Sequence, residues 1–138
     1  MSDFSYLLPD GRLAQGSAPP TIGVRLPFDV VVLAAEEYQP ELSGYRHVLH
    51  VPLDDGPPPD KVTRMRIHSA ARRVADHVRL GHRVLVTCMQ GRNRSGVLAG
   101  LALVELGVPS DRVVRRIQRL RNGLTNQYFR AMVLGGYR

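Results

Sequence analysis

The residues best suited to chemistry form one short run, Cys88-Met-Gln-Gly-Arg-Asn-Arg94-Ser95. It follows the apolar, β-branched stretch His82-Arg-Val-Leu-Val-Thr87 and precedes an apolar segment from Ser95 to Leu106, so it reads as the link from a buried strand to a buried helix. Such a link is an anion cradle. Backbone N–H groups at the start of a helix lack partners, and the helix dipole favours negative charge there. Met89, Gln90, Gly91, Arg92 and Asn93 would supply those N–H groups, with Gly91 free to take a backbone angle other residues resist. Arg94 would add a two-pronged clamp on phosphate oxygens. Cys88, at the base of the same field, is placed where a thiolate is favoured, and a thiolate facing a bound phosphate can attack phosphorus in line.

The elements that must hold this loop alternate between strand and helix. Phe4 to Leu8 and Arg12 to Ala14 read as short strands around a Pro-Asp-Gly turn, and Asp29–Leu33 and His47–Val51 as further strands. Pro52-Leu-Asp-Asp-Gly-Pro-Pro-Pro-Asp60 is too proline-rich for helix or inner strand and reads as a stiff loop. Asp60 caps a helix starting at Lys61 whose apolar stripe is Val62, Ile67, Ala71, Val74 and Val78, and Gly81 ends it. Ser110 is expected to cap a basic helix reaching Arg121, with Val113, Val114, Ile117 and Leu120 inward. A last helix spans about Asn126 to Leu134. The expected fold is α/β, a central mixed sheet flanked by helices, in a single domain over residues 1–138.

Composition narrows the alternatives. One cysteine in 138 residues excludes an internal disulfide, a Cys-rich zinc site and a dithiol redox motif, and suits the reducing cytoplasm. No apolar run is long enough to span a membrane, and Met1-Ser2-Asp3-Phe4 does not read as a signal peptide. The net charge is +7, carried by arginine, since Lys61 is the only lysine. These arginines are scattered over helical patterns without interleaved aromatics, which argues for codon bias over a nucleic-acid surface. His47, His50, His68, His77 and His82 show no metal-ligand spacing and read as surface or strand-edge residues.

Cys-x5-Arg-Ser between an apolar strand and a helix resembles the protein tyrosine phosphatase superfamily, and the surrounding sequence is most similar to its small dual-specificity members. The resemblance runs over about residues 4–135. It implies a cysteine phosphatase-like fold and a cysteine-dependent phosphatase without metal or other cofactor. Phosphotyrosine, and phosphoserine or phosphothreonine, on proteins would be the substrates. Cys88 would be the nucleophile, and Ser95 the hydroxyl that eases thiolate departure. Pro52-Leu-Asp-Asp-Gly-Pro looks like the acid loop; the pattern sets the acid directly before Gly, favouring Asp55 over Asp54. Arg121-Asn-Gly-Leu-Thr-Asn-Gln-Tyr-Phe129 resembles the closing segment, in which Asn126 and Gln127 would position water, although Asn126 serves equally as a helix cap. One departure stands out: the family's histidine before the nucleophile is Thr87 here, which implies a less strongly tuned thiolate and slower turnover. Two other functions stay open. The basic balance and Arg92 at the loop crest suit a phosphoinositide or RNA 5′-phosphatase, and Thr87 suits a catalytically weak phosphate-binding module.

Overall fold

In the computed structural model, which describes residues 3–136, the chain forms β1 (Phe4–Tyr6), β2 (Leu13–Gly16), β3 (Val30–Ala35), β4 (His47–Leu53), α1 (Lys61–Arg79), β5 (Val84–Thr87), α2 (Arg94–Glu105), α3 (Ser110–Arg121) and α4 (Gln127–Val133). The strands make one sheet in the order β1-β2-β5-β3-β4. Only β1 runs antiparallel to its neighbour; β2, β5, β3 and β4 are parallel. Their C-terminal ends, Gly16, Thr87, Ala35 and Leu53, therefore lie along one rim, and the chain leaving each strand enters the same neighbourhood. In open parallel sheets this rim is where ligands bind.

Strand β5 is buried throughout and central, as its continuous apolar run predicts. Leu13, Val30, Val32, Ala34, Val84 and Val86 pack in one large cluster with residues from all four helices. On the other face Ala14 and Leu85 meet Leu26 and Phe28 of the segment between β2 and β3. Helix α2 is buried from Arg94 to Leu103, as a helix apolar nearly all round must be. Each fully buried Val or Leu contributes about 1.5–3 kcal/mol.

Local signals explain most boundaries. Asp60 caps α1, its Oδ1 accepting from Thr63 N at 2.8 Å, and Gly81 follows the helix at φ +85°. Pro52 lies in the last turn of pairing of edge strand β4, where the register with β3 shifts between Leu33 and Ala35; a residue without a donor is tolerated at such a bulge. Three expectations are corrected. Val62 is 66% exposed and Leu120 39%, because each sits at the margin of its stripe and turns away from the core. Ser110 is not the cap of α3 but its first residue, with Pro109 in the cap position and no side-chain bond there.

Among the described residues no helix is long and apolar enough to cross a membrane, and no group of three His, Cys, Asp or Glu could hold a metal ion. The rings of His47, His77 and His82 nevertheless cluster, with centroids 5.0–6.2 Å apart and His77 Nδ1 2.9 Å from His82 Nδ1. No local spacing signals this cluster, since the three come from β4, the end of α1 and the turn before β5.

Candidate active site

Residues 88–93 leave the end of β5 and curl back to the first turn of α2. Cys88 N donates to Gly16 O at 3.3 Å, and Ala18 N donates to Met89 O at 3.2 Å, so the loop starts tied to the chain leaving β2. Its later carbonyls all face outward onto partners. Arg121 donates from Nη2 to Gln90 O (3.3 Å) and from Nε to Gly91 O (3.0 Å). Gln15 Nε2 donates to Gly91 O (3.2 Å) and Arg92 O (3.3 Å), and Leu124 N donates to Arg92 O (3.2 Å). In a planar trans peptide the N–H points opposite to the C=O. Holding four successive carbonyls outward therefore turns the N–H groups of Gln90, Gly91, Arg92 and Asn93 the other way.

Gly91 makes this curl possible. Its φ is +69°, and a Cβ there would lie 2.4 Å from Arg121 Nη2 and 2.5 Å from Gly16 C. Both the angle and the space exclude every other residue.

Arg94 opens α2 and is only 8% exposed. Its Nη1 and Nη2 grip the two carboxylate oxygens of Glu37, the Nη2–Oε2 distance being 2.9 Å, and Nη1 also donates to Leu53 O at 3.1 Å. Arg94 Nε is buried and has no partner. A buried guanidinium N–H left open at the rim of an anion cradle is a ready donor for a ligand oxygen. The bond from Arg94 holds the Glu37 carboxyl down at about 2. Glu37 in turn raises Arg94, against its burial, with smaller contributions from Cys88 and Asp55. Asn93, at the cap position of α2, makes no side-chain cap bond, so the helix start is not closed by its own chain.

Asn93 instead reaches sideways. Its Nδ2 donates to Asp55 Oδ2 (3.2 Å) and to Thr125 Oγ1 (3.1 Å), and its Oδ1 accepts from Asn126 N (2.9 Å). Asn126 Nδ2 donates to Asp55 Oδ1 at 2.9 Å, while its Oδ1 caps α4 by accepting from Tyr128 N and Phe129 N. Asn126 thus caps a helix, as one of its two readings expects, and it also holds the aspartate, a contact neither reading included. Asp55, Gly56, Asn93, Thr125, Asn126, Gln127 and Tyr128 with Arg130 line an open cleft beside the loop. Asp54 faces another hollow, among Glu36, Pro57, Pro58, Pro59 and Thr63. The structure therefore brings Asp55, and not Asp54, to the loop.

Cys88 is 4% exposed, and its Sγ lies 3.2 Å from Ser95 Oγ, itself fully buried. Thr87 is buried too, with its hydroxyl directed away from the loop to Val32 O at 2.7 Å. The side chains of Met89, Gln90 and Arg92 are exposed, and Gln127 is exposed at the start of α4. Three contributors went unread in the sequence. Glu37 and Gln15 lie on or just beyond strands whose ends share the rim with β5, and a polar residue inside Leu13-Ala14-Gln15-Gly16 was the available signal for the second. Arg121 was visible only as the start of the closing segment.

Residues 37–125, from the partner of Arg94 to the hydroxyl beside Asn93, match the model of the tyrosine phosphatase family. The chain belongs to the tyrosine phosphatase family. It is 35% identical over 81 residues to protein tyrosine phosphatase type IVA 2 of Mus musculus, covering 58% of this chain and 47% of that protein, and the Rattus norvegicus protein matches equally. The chain spans about half the length of the curated relatives it matches. Among solved structures, Tk-PTP in the active form is 26% identical with a TM-score of 0.69, covering 91% of this chain and 90% of that one. Human DUSP28 superposes with a TM-score of 0.74 at 21% identity over 94% of this chain and 88% of that one, a likeness of fold. The tyrosine phosphatase fold, with its mixed sheet and its helices, is thus the frame on which this loop is built.

Proposed function

We propose that this chain is a cysteine-dependent phosphomonoesterase that hydrolyses protein phosphotyrosine, with phosphoserine and phosphothreonine accepted at the same site. The unpartnered Nε of buried Arg94, beside a loop whose carbonyls all face outward, carries the reading, because both direct N–H donors to one place and suit it to an anion. Phosphate oxygens take the N–H groups of residues 89–93 and Arg94 Nε. The Cys88 thiolate attacks phosphorus, a sulfur–phosphorus bond forms, and the ester oxygen leaves with a proton from Asp55. Asp55 then takes a proton from water as the water oxygen attacks phosphorus. The sulfur–phosphorus bond breaks, inorganic phosphate departs, and Ser95 bonds the returning thiolate. Charge stabilisation comes from preorganised N–H groups and the guanidinium. The whole chain acts as one catalytic domain, and its lone thiol suits the reducing cytoplasm.

The test is turnover of p-nitrophenyl phosphate and a phosphotyrosine peptide by wild type and Cys88→Ser. The variant is expected to lose turnover and keep phosphate affinity. Retained turnover would remove the nucleophile from the scheme, and absence of turnover in the wild type would favour the phosphate-binding module. Exposed Arg92 on the loop crest, in a chain of net charge +7, favours a second reading as a phosphoinositide or RNA 5′-phosphatase. Phosphate release from lipid and RNA substrates in parallel with phosphopeptides decides between them.

A further inference from the structure

Gln15 is fully buried near the end of β2, and its amide has no evident place in an apolar sheet. Its two Nε2 protons face three acceptors, Gly91 O (3.2 Å), Arg92 O (3.3 Å) and Ser95 Oγ (3.1 Å), so one proton is shared, while its Oε1 is buried without a partner. The two carbonyls fix which end of the amide faces the loop, since an amide oxygen there would oppose two other oxygens.

The consequence falls on Ser95. Its hydroxyl has one proton to give and two lone pairs with which to accept. A serine in a helix commonly gives its proton to the carbonyl four residues earlier. For Ser95 that carbonyl is Gly91 O, with Arg92 O next to it, and Gln15 engages both. Gln15 also donates to Ser95 Oγ itself, so the hydroxyl proton must point elsewhere. Cys88 Sγ, 3.2 Å away, is the acceptor that remains once the sulfur is a thiolate.

We infer that Gln15 is a positioning residue for breakdown of the thiophosphate: it holds the Ser95 proton on Cys88 Sγ, where it stabilises the thiolate as that leaves phosphorus. The inference rests on the covalent mechanism proposed above. In the step concerned, water oxygen bonds phosphorus, the sulfur–phosphorus electron pair returns to sulfur, and Asp55 accepts the water proton. Ser95 keeps its own proton and shares it with sulfur. Formation of the thiophosphate needs no such help, because there sulfur loses negative charge.

The experiment is a double-mutant cycle on Gln15→Met, which keeps the length and removes the donor, and Ser95→Ala. Stopped-flow bursts with p-nitrophenyl phosphate separate formation from breakdown. Losing one oriented hydrogen bond should slow breakdown by roughly 3- to 10-fold in Gln15→Met. Both kcat and KM should fall, while kcat/KM, which ends at thiophosphate formation, stays within about 2-fold. In the Ser95→Ala background the Gln15 change should add nothing. Gln15→Asn, too short to reach Ser95, carries the same expectation should the Met variant fail to fold. A Gln15 role confined to bracing the loop predicts that kcat/KM falls with kcat and that the two changes multiply; that result, or unchanged breakdown, overturns the inference. Failure of the parent mechanism looks different: the wild type itself would then form no Cys88-dependent thiophosphate.

Discussion

Replacing Arg94 by Lys keeps the charge and removes the fork, so it separates electrostatics from geometry at the cradle. In the resting site the guanidinium binds both oxygens of Glu37 and the carbonyl of Leu53, and its Nε is open. A lysine ammonium retains at most part of the Glu37 contact and leaves Leu53 O without its donor. The Glu37 side chain is 50% exposed, so that pair is screened and counts for only a fraction of a buried one. Together these losses come to about 1–2 kcal/mol of stability, or a melting point lower by roughly 3–7 °C. The rate suffers more, because the oriented Nε–H bond to a phosphoryl oxygen disappears where charge is redistributed: about 2–4 kcal/mol, or 30- to 1000-fold in kcat/KM. The assay is p-nitrophenyl phosphate hydrolysis at 25 °C, where both proteins are folded, beside a thermal melt. A Lys variant within threefold of wild type, with the expected drop in melting, would refute the reasoning, for the fork would then serve the fold and not the phosphate.

Three further outcomes follow from the geometry. Asp55→Asn should slow hydrolysis of an alkyl phosphate by roughly 10²–10⁴-fold and of a nitrophenyl phosphate much less, while Asp54→Asn changes either by under about twofold; comparing the two leaving groups checks the assignment. Thr87→His should lower the melting point through overpacking and loss of the bond to Val32 O, together about 2–4 kcal/mol, and leave the acid limb of the pH–rate profile unmoved, since the Thr87 hydroxyl faces β3. The third concerns pH. Burial, then His47, His82 and Arg73, hold His77 below its usual 6.5, against a weak opposite pull from Asp76. The unfolded chain therefore takes up this proton first as pH falls, so the contribution is present above pH 6.5 and lost below it. Melting points between pH 8 and 5 should decline through that range, and His77→Gln should flatten the decline.

The loop was legible because its signals are local. An apolar strand, seven residues from Cys88 to Arg94 and an apolar helix stand side by side in the chain, and the resemblance favours Asp55 over Asp54 through the glycine after it. Its supports were not legible because they arrive from far away. Glu37 is 57 residues from Arg94, Arg121 is 30 from Gly91, and Gln15 is 76 from Gly91. The parallel pairing of β2, β5 and β3, which sets Gly16, Thr87 and Ala35 on one rim, brings Gln15 and Glu37 there, and Arg121 arrives from the end of α3. Periodicity was weaker still at stripe margins: Val62 and Leu120 keep the helical spacing and yet face solvent. Apolar type at the right interval tells which face is possible, and the width of the neighbouring element decides how much of that face is covered.

The bracing of the loop by Arg121 reaches further than the active site. The same guanidinium that holds Gln90 O and Gly91 O is paired with both carboxylate oxygens of Asp3 at 2.8 Å, and its bond holds the Asp3 carboxyl below the ordinary carboxylate range. The Arg121 side chain is 5% exposed and that of Asp3 is 68% exposed, so a carboxylate on the outer surface is the counter-ion of a cation sealed inside. Without it the guanidinium would be a buried, uncompensated charge. Replacing Asp3, just ahead of β1, is thus an intervention on the loop after β5, for which this one carboxylate acts as a remote strut.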